Sequence, residues 1–172
     1  MQTVCNDMSK ENVSVSTTVD APPETVFAVL TDPATHEAID GTGWVRQPVD
    51  GKPLTEVGQI FRMGMYHDNH PEKHYEMSNR VEVFDRPHAI AWLPGQGPDD
   101  RGNLIRSPKL DFGGWLWRYD LKPVADDRTE VTLTYDWSDV PPEQREAISF
   151  PPFDVSHLDN SLRHLGALAE AR

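Results

Sequence analysis

This 172-residue chain holds one cysteine, Cys5. No intrachain disulfide can form, and a reducing compartment is the simpler reading. Basic residues are scarce: 16 Lys and Arg stand against 28 Asp and Glu, a formal net charge of −12. Such a surface repels phosphate backbones and anionic headgroups, and no run of Lys/Arg offsets it. Nucleic acid and membrane surfaces are therefore poor partners. No apolar run approaches the roughly 18 residues needed to cross a bilayer. No basic-then-greasy leader opens the chain, so a cytoplasmic protein without membrane insertion is expected. Chemical motifs are thin as well. There is no Gly-x-Ser-x-Gly elbow and no Gly-rich phosphate loop after a strand, and Cys5 sits in a polar tail, so nucleophilic acyl chemistry lacks its nucleophile. Internal repeats and low-complexity tracts are lacking too.

What is present begins at Val13. Val13, Val15, Thr17 and Val19 share one face of an alternating segment, and Ser14, Ser16, Thr18 and Asp20 the other, the period of a half-buried strand. Pro22 suits the first position of a helix, Glu24 lies in its first turn, and Val26, Phe27, Val29 and Leu30 make it apolar on most sides. Asp32 can cap a second short helix that Pro33 starts, ending near Ile39 before Gly41 and Gly43. From Trp44 to Gly58 any strand must be brief.

Strands then dominate. Phe61, Met63 and Met65 alternate with Arg62, Gly64 and Tyr66. Tyr75, Met77, Asn79, Val81 and Val83 oppose Glu76, Ser78, Arg80 and Glu82. Ile90 and Trp92 are expected to point inward. Trp115, Trp117, Tyr119 and Leu121 oppose Leu116, Arg118, Asp120 and Lys122. Val131, Leu133, Tyr135 and Trp137 oppose Glu130, Thr132, Thr134 and Asp136, after a hairpin turn at Ala125–Arg128. The pattern predicts an antiparallel sheet with one wet face. Pro94–Gly114 reads as a long irregular loop, and Pro141–Pro152 as a Pro-rich passage into a last helix capped by Asp154. That helix places Val155, Leu158, Leu162, Leu165 and Ala169 on one stripe, with His157 and His164 expected in water.

This order resembles the helix-grip fold of the START/Bet v 1-like (SRPBCC) superfamily, and more closely its polyketide cyclase/dehydrase and lipid transport group. The residues that carry the likeness are Val19–Phe27, Asp32–His36, Ile39–Gly43, Val81–Pro87 with Trp92, Gly114–Leu121 and Val131–Trp137. The resemblance implies an α+β domain: a curved antiparallel sheet of about seven strands gripping the C-terminal helix, with a cavity between them. On this reading residues 1–12 are a flexible tail and 13–172 one ligand-binding domain.

The inward set then becomes a candidate ligand-binding surface: Phe61, Met63, Met65, Tyr75, Met77, Asn79, Trp92, Trp117, Tyr119 and Tyr135, with Leu158, Leu162 and Leu165 from the helix. Aromatic rings supply stacking area and thioethers adapt to guest shape, while Asn79 and the Tyr hydroxyls can orient a guest. The same residues would also serve as plain core; Trp115 and Trp137 fit core or rim best. The expected partner is a small hydrophobic molecule, aromatic or lipid-like, with no cofactor. An alternative is a cyclase, aromatase or dehydratase using the same cavity, with Tyr119, Tyr135, His67 and Asn79 as its proton-handling groups. A second alternative is a protein-interaction module like the related Hsp90 activators. Glu76, Glu82, Asp120, Glu130 and Asp136 fall on the outer parity, so no inward acid/base pair is expected. His67, His70 and His74 with Asp68 have a spacing that a metal could use, but ordinary polar turns share it, and no metal is assigned. His36 and Asp40, four apart, are expected to meet on a helix surface. The oligomeric state stays open, a homodimer included.

Overall fold

The computed structural model describes residues 11–49, 51–68, 73–96, 111–147 and 150–172. In chain order they form β1 (Asn12–Val19), α1 (Pro23–Leu30), a 3-10 turn (Pro33–Thr35), α2 (His36–Asp40), β2 (Val45–Pro48), β3 (Ile60–Tyr66), β4 (His74–Asp85), β5 (Ala89–Gln96), β6 (Asp111–Phe112), β7 (Leu116–Ala125), β8 (Arg128–Asp136), α3 (Pro142–Ala147) and α4 (Ser156–Glu170). The strands make one antiparallel sheet in the order β1-β8-β7-β5-β4-β3-β2, with β6 paired to β5. This is the expected helix-grip arrangement, a curved sheet closed over by a C-terminal helix. Among the described residues no helix is long and apolar enough to cross a membrane.

Local chemistry explains the elements. β1 pairs with β8 in register Val13↔Tyr135 through Val19↔Thr129. On the wet face Ser14 meets Thr134, and Ser16 meets Thr132, each through hydroxyls 2.7 Å apart. Pro22 occupies the cap of α1 and Pro23 its first turn, one residue later than the sequence suggests. The Asp32 carboxylate accepts from Ala34 N–H and starts the 3-10 turn, as expected. The β7–β8 hairpin turns between Ala125 and Arg128, also as expected. Part of the anticipated Pro94–Gly114 loop is strand: Gly95 and Gln96 pair with Phe112 and Asp111, while residues 97–110 lie outside the described residues.

The core lies between the concave face and the helices. Phe27, Leu30, Ile90, Leu133, Leu158, Leu162 and Leu165 are fully buried there. Removing such side chains from water is the main stabilising term, about 25 cal/mol per Å² of apolar surface. Gly166 lets α4 approach β1: a Cβ at that position would stand 3.5 Å from Val19 Cγ2.

Strand β4 departs from the expected alternation in two ways. Val81 pairs with Trp92 and Val83 with the adjacent Ala91, so β4 carries one extra residue, Glu82. Past this bulge the faces exchange. Phe84, not the expected Val83, turns to the core, with its ring 5.4 Å from that of Phe27 in an edge contact. The second departure is on the outer face, where Glu76 and Ser78 are buried instead of wet. The guanidinium of Arg80 lies 4.3 Å over the Phe112 ring on this side, so β6 helps to cover that part of the sheet.

Candidate functional site

Between the sheet and the start of α4 lies a cavity of about 570 Å³. That volume falls within the range of small-molecule sites. Its floor comes from alternate residues of four strands: Phe61, Met63 and Met65 of β3; Tyr75, Met77 and Asn79 of β4; Trp92 of β5; and Trp117 and Tyr119 of β7. Tyr135 of β8 and Trp115 just before β7 extend the wall, and Phe150 and Pro152 close one side. Ten residues expected on this surface from the strand pattern are therefore brought together by period-two geometry. Trp137 instead packs with Tyr135, Val140 and Phe150 in a second cluster, a core position as anticipated.

The helical side differs from expectation. Leu158, Leu162 and Leu165 are buried at 0%, 1% and 0% exposure, but they face the packed core and not the cavity. From α4 it is His157 and Ser161 that line the cavity. The apolar stripe identifies what packs against the sheet; His157, nearly opposite it and expected in water, is instead largely covered, and Ser161 joins it from the stripe's flank. His164 is likewise half-buried: its Nδ1 lies 2.9 Å from the Ile39 carbonyl oxygen.

α2 brings the polar groups. His36 is not on a helix surface. Its ring stacks on Trp92 at 5.1 Å and 17°, with Nε2 2.9 Å from the Leu30 carbonyl. Burial holds this imidazole below its ordinary value of 6.5, with the Leu30 contact acting the other way. Asp40, 5% exposed, is also turned inward. Its Oδ2 accepts from Thr42 N, Thr42 Oγ1, Trp44 N and Val45 N at 3.0, 2.7, 3.2 and 3.3 Å. A carboxylate at a helix C-terminus opposes the helix dipole, and these donors offset that cost. Its other oxygen stands 3.6 Å from His157 Nε2. Asp40 and His157 thus form an acid/base pair on the cavity wall, which corrects the expectation that none would face inward. The separation of the two residues along the chain hides the pair from any local motif.

The remaining polar groups are aromatic hydroxyls and one amide. Tyr75 Oη accepts from Trp44 Nε1 at 2.7 Å. Burial raises the Tyr75 phenol above its ordinary value, partly countered by that bond. Burial likewise pushes Tyr119 and Tyr135 upward, and for Tyr119 the Asp40 charge adds to the effect. All three are neutral donors at physiological pH. Asn79 Nδ2 donates weakly to the Phe61 carbonyl at 3.4 Å.

His67 lies at the exposed rim, 5.6 Å ring to ring from Trp44. His74 instead meets Tyr66 at 4.9 Å, and the Tyr66↔His74 pairing puts it on the other parity of the hairpin. His70 lies outside the described residues. Among the described residues no three His, Cys, Asp or Glu groups converge on a point that could hold a metal.

Comparison with known proteins fits this architecture. The model of the family described as "Activator of Hsp90 ATPase homolog 1-like protein" matches residues 20–154. An uncharacterized protein of Mycobacterium tuberculosis is 28% identical over 131 residues, 76% of this chain and 50% of that protein. A second uncharacterized protein, from another strain of that species, is 27% identical over 133 residues, with the same coverage. The chain spans about half the length of these curated relatives. Among solved structures, a Mycobacterium smegmatis protein superposes with a TM-score of 0.66 at 17% identity, covering 96% of this chain and 94% of that one. An Arthrobacter aurescens protein does so with 0.65 at 15% identity, covering 96% and 90%. A Mesorhizobium loti protein reaches 0.59 at 16% identity, covering 93% and 97%. At such identities the likeness speaks for the fold alone. The matched family model covers most of the chain, and the sheet closed over α4 agrees with it: the chain belongs to the Activator of Hsp90 ATPase homolog 1-like family, within the START/Bet v 1-like superfamily of ligand-binding domains.

Proposed function

We propose that this domain binds a small, mostly apolar, ring-containing molecule in the cavity between the sheet and α4. The observation that carries this reading is the cavity itself, about 570 Å³ with walls of Trp, Tyr, Phe and Met side chains. Trp117 is stacked on Phe153 at 5.5 Å and 19°, and Tyr135 meets the same ring edge-on at 4.9 Å. Rings already locked by their neighbours lose little freedom when a guest arrives, so more of the buried area converts into affinity. Met63, Met65 and Met77 form the opposite wall, where flexible thioethers can follow the guest's outline.

Titration with an uncharged environment-sensitive dye tests this. One saturable site is expected, and Trp117→Ala or Tyr135→Ala should each weaken it about tenfold through lost stacking and area. Dye binding that neither substitution alters would place any binding outside the cavity and defeat the reading.

A further inference from the structure

The cavity wall carries more polar groups than a hydrocarbon guest can satisfy. Tyr119, Tyr135 and Ser161 are 5%, 2% and 4% exposed, yet among the described residues their hydroxyls hydrogen-bond to no protein group. Buried polar groups nearly always have partners, so unpartnered ones around a cavity point to a partner inside it. One corner is more fully built than the rest. The Asp40 carboxylate is fixed by its contacts with Thr42, Trp44 and Val45. Its free oxygen, 3.6 Å from His157 Nε2, favours the tautomer that carries the proton on that nitrogen. Nδ1 is then a bare acceptor, and among the described residues it has no protein partner. Ser161 follows His157 by one helical turn on the same face, and both line the cavity. The rings of Phe153 and Trp117 stand 5.2 and 6.3 Å from the His157 ring, so an aromatic guest reaching this corner meets stacking surface beside it.

We propose that this corner recognises a hydroxyl group borne on a ring: the O–H of a phenol or enol donates to Nδ1 of His157, and its oxygen accepts from the Ser161 hydroxyl. This rests on the cavity reading above and narrows the guest to an aromatic alcohol over a plain hydrocarbon lipid. The apolar surroundings suit such a bond, because a hydroxyl moved there without an acceptor would be penalised. Burial keeps the His157 imidazole below its ordinary value despite the charge of Asp40, with His164 pushing the same way as burial, so the ring is neutral at pH 7.5 and its acceptor is available.

Calorimetric titration at pH 7.5 with 2-naphthol and with 2-methoxynaphthalene tests the assignment, because the ether keeps the ring and loses the donor. The whole chain should bind the naphthol about tenfold more tightly, the value of one well-made buried hydrogen bond. His157→Leu should bring the two affinities within about twofold of each other, mainly by weakening the naphthol. Ser161→Ala should cut the preference by a smaller factor. Equal affinities in the unaltered protein, or a preference that survives His157→Leu, overturn the assignment while leaving the cavity reading intact. Binding of neither probe overturns both. Should His157→Leu not fold, the probe comparison on the unaltered protein and on Ser161→Ala still decides.

Discussion

The imidazole of His36 lies flat against the indole of Trp92 and edge-on to Phe61, with Nε2 2.9 Å from the Leu30 carbonyl. Its solution behaviour follows from that setting. Burial lowers its folded-state value below 6.5, so the unfolded chain binds the proton more readily. The stability that His36 contributes is therefore complete above pH 6.5 and is lost as pH falls from 6.5 through the folded value. His157, lowered by burial, adds to the same trend. Urea unfolding between pH 7.5 and 5.5 should show a decline with a slope of up to about 1.4 kcal/mol per pH unit for each such group. His36→Gln should flatten it, since an amide can still donate to Leu30 without titrating. A profile equally steep in that variant would move the effect to other groups.

At the level of elements, α2 and α4 are clasped by three contacts: Asp40 beside His157, Ile39 O beside His164, and Gly41 beneath the His164 ring. Gly41 closes α2 with φ of +70°, and a Cβ there would stand 2.3 Å from His164 Cε1. Gly41→Ala should cost about 2 kcal/mol in urea unfolding, from left-handed backbone strain plus the displaced His164. In a His164→Ala background the same change should cost only the backbone part, about 1 kcal/mol, so the two substitutions are not additive. Additive costs would mean that His164 does not bear on Gly41. This clasp also marks the limit of what periodicity reveals. Alternation along β3, β7 and β8 shows which side chains share a face, because a strand's neighbours repeat its geometry. The leucine stripe of α4 is equally plain. What no pattern states is how wide an arc of α4 its neighbours cover. His157 and His164 lie nearly opposite the stripe, and long-range packing, α2 included, takes them largely out of water. His36 and Asp40 have the spacing of a surface pair, yet each is captured by a separate long-range partner.

For the whole molecule, the strand order and the closing helix follow from the succession of elements, whereas the hollow does not. The same Trp, Tyr and Met residues would suit a solid core, and only their three-dimensional placement leaves about 570 Å³ between them. The net charge of −12 would suit a basic polypeptide partner. Native mass spectrometry of gently purified protein separates this from a carrier role. A carrier should arrive with a small-molecule increment that Trp117→Ala diminishes. A polypeptide adduct indifferent to Trp117 would favour the interaction role.

The additional residue in β4 works like a gear between two halves of one strand. Upstream of Glu82, Tyr75, Met77 and Asn79 face the hollow; downstream, the stagger lets Phe84 engage Phe27 in close-packed interior. Because the step in phase falls between these halves, the guest-facing stretch can be rewritten without disturbing the stretch that keeps the sheet and first helix together. Deleting Glu82 would join the two halves in one unbroken alternation, with Phe84 still opposite Ile90 on the core side, so that any shift of the guest-facing half would pass directly to the Phe27 contact.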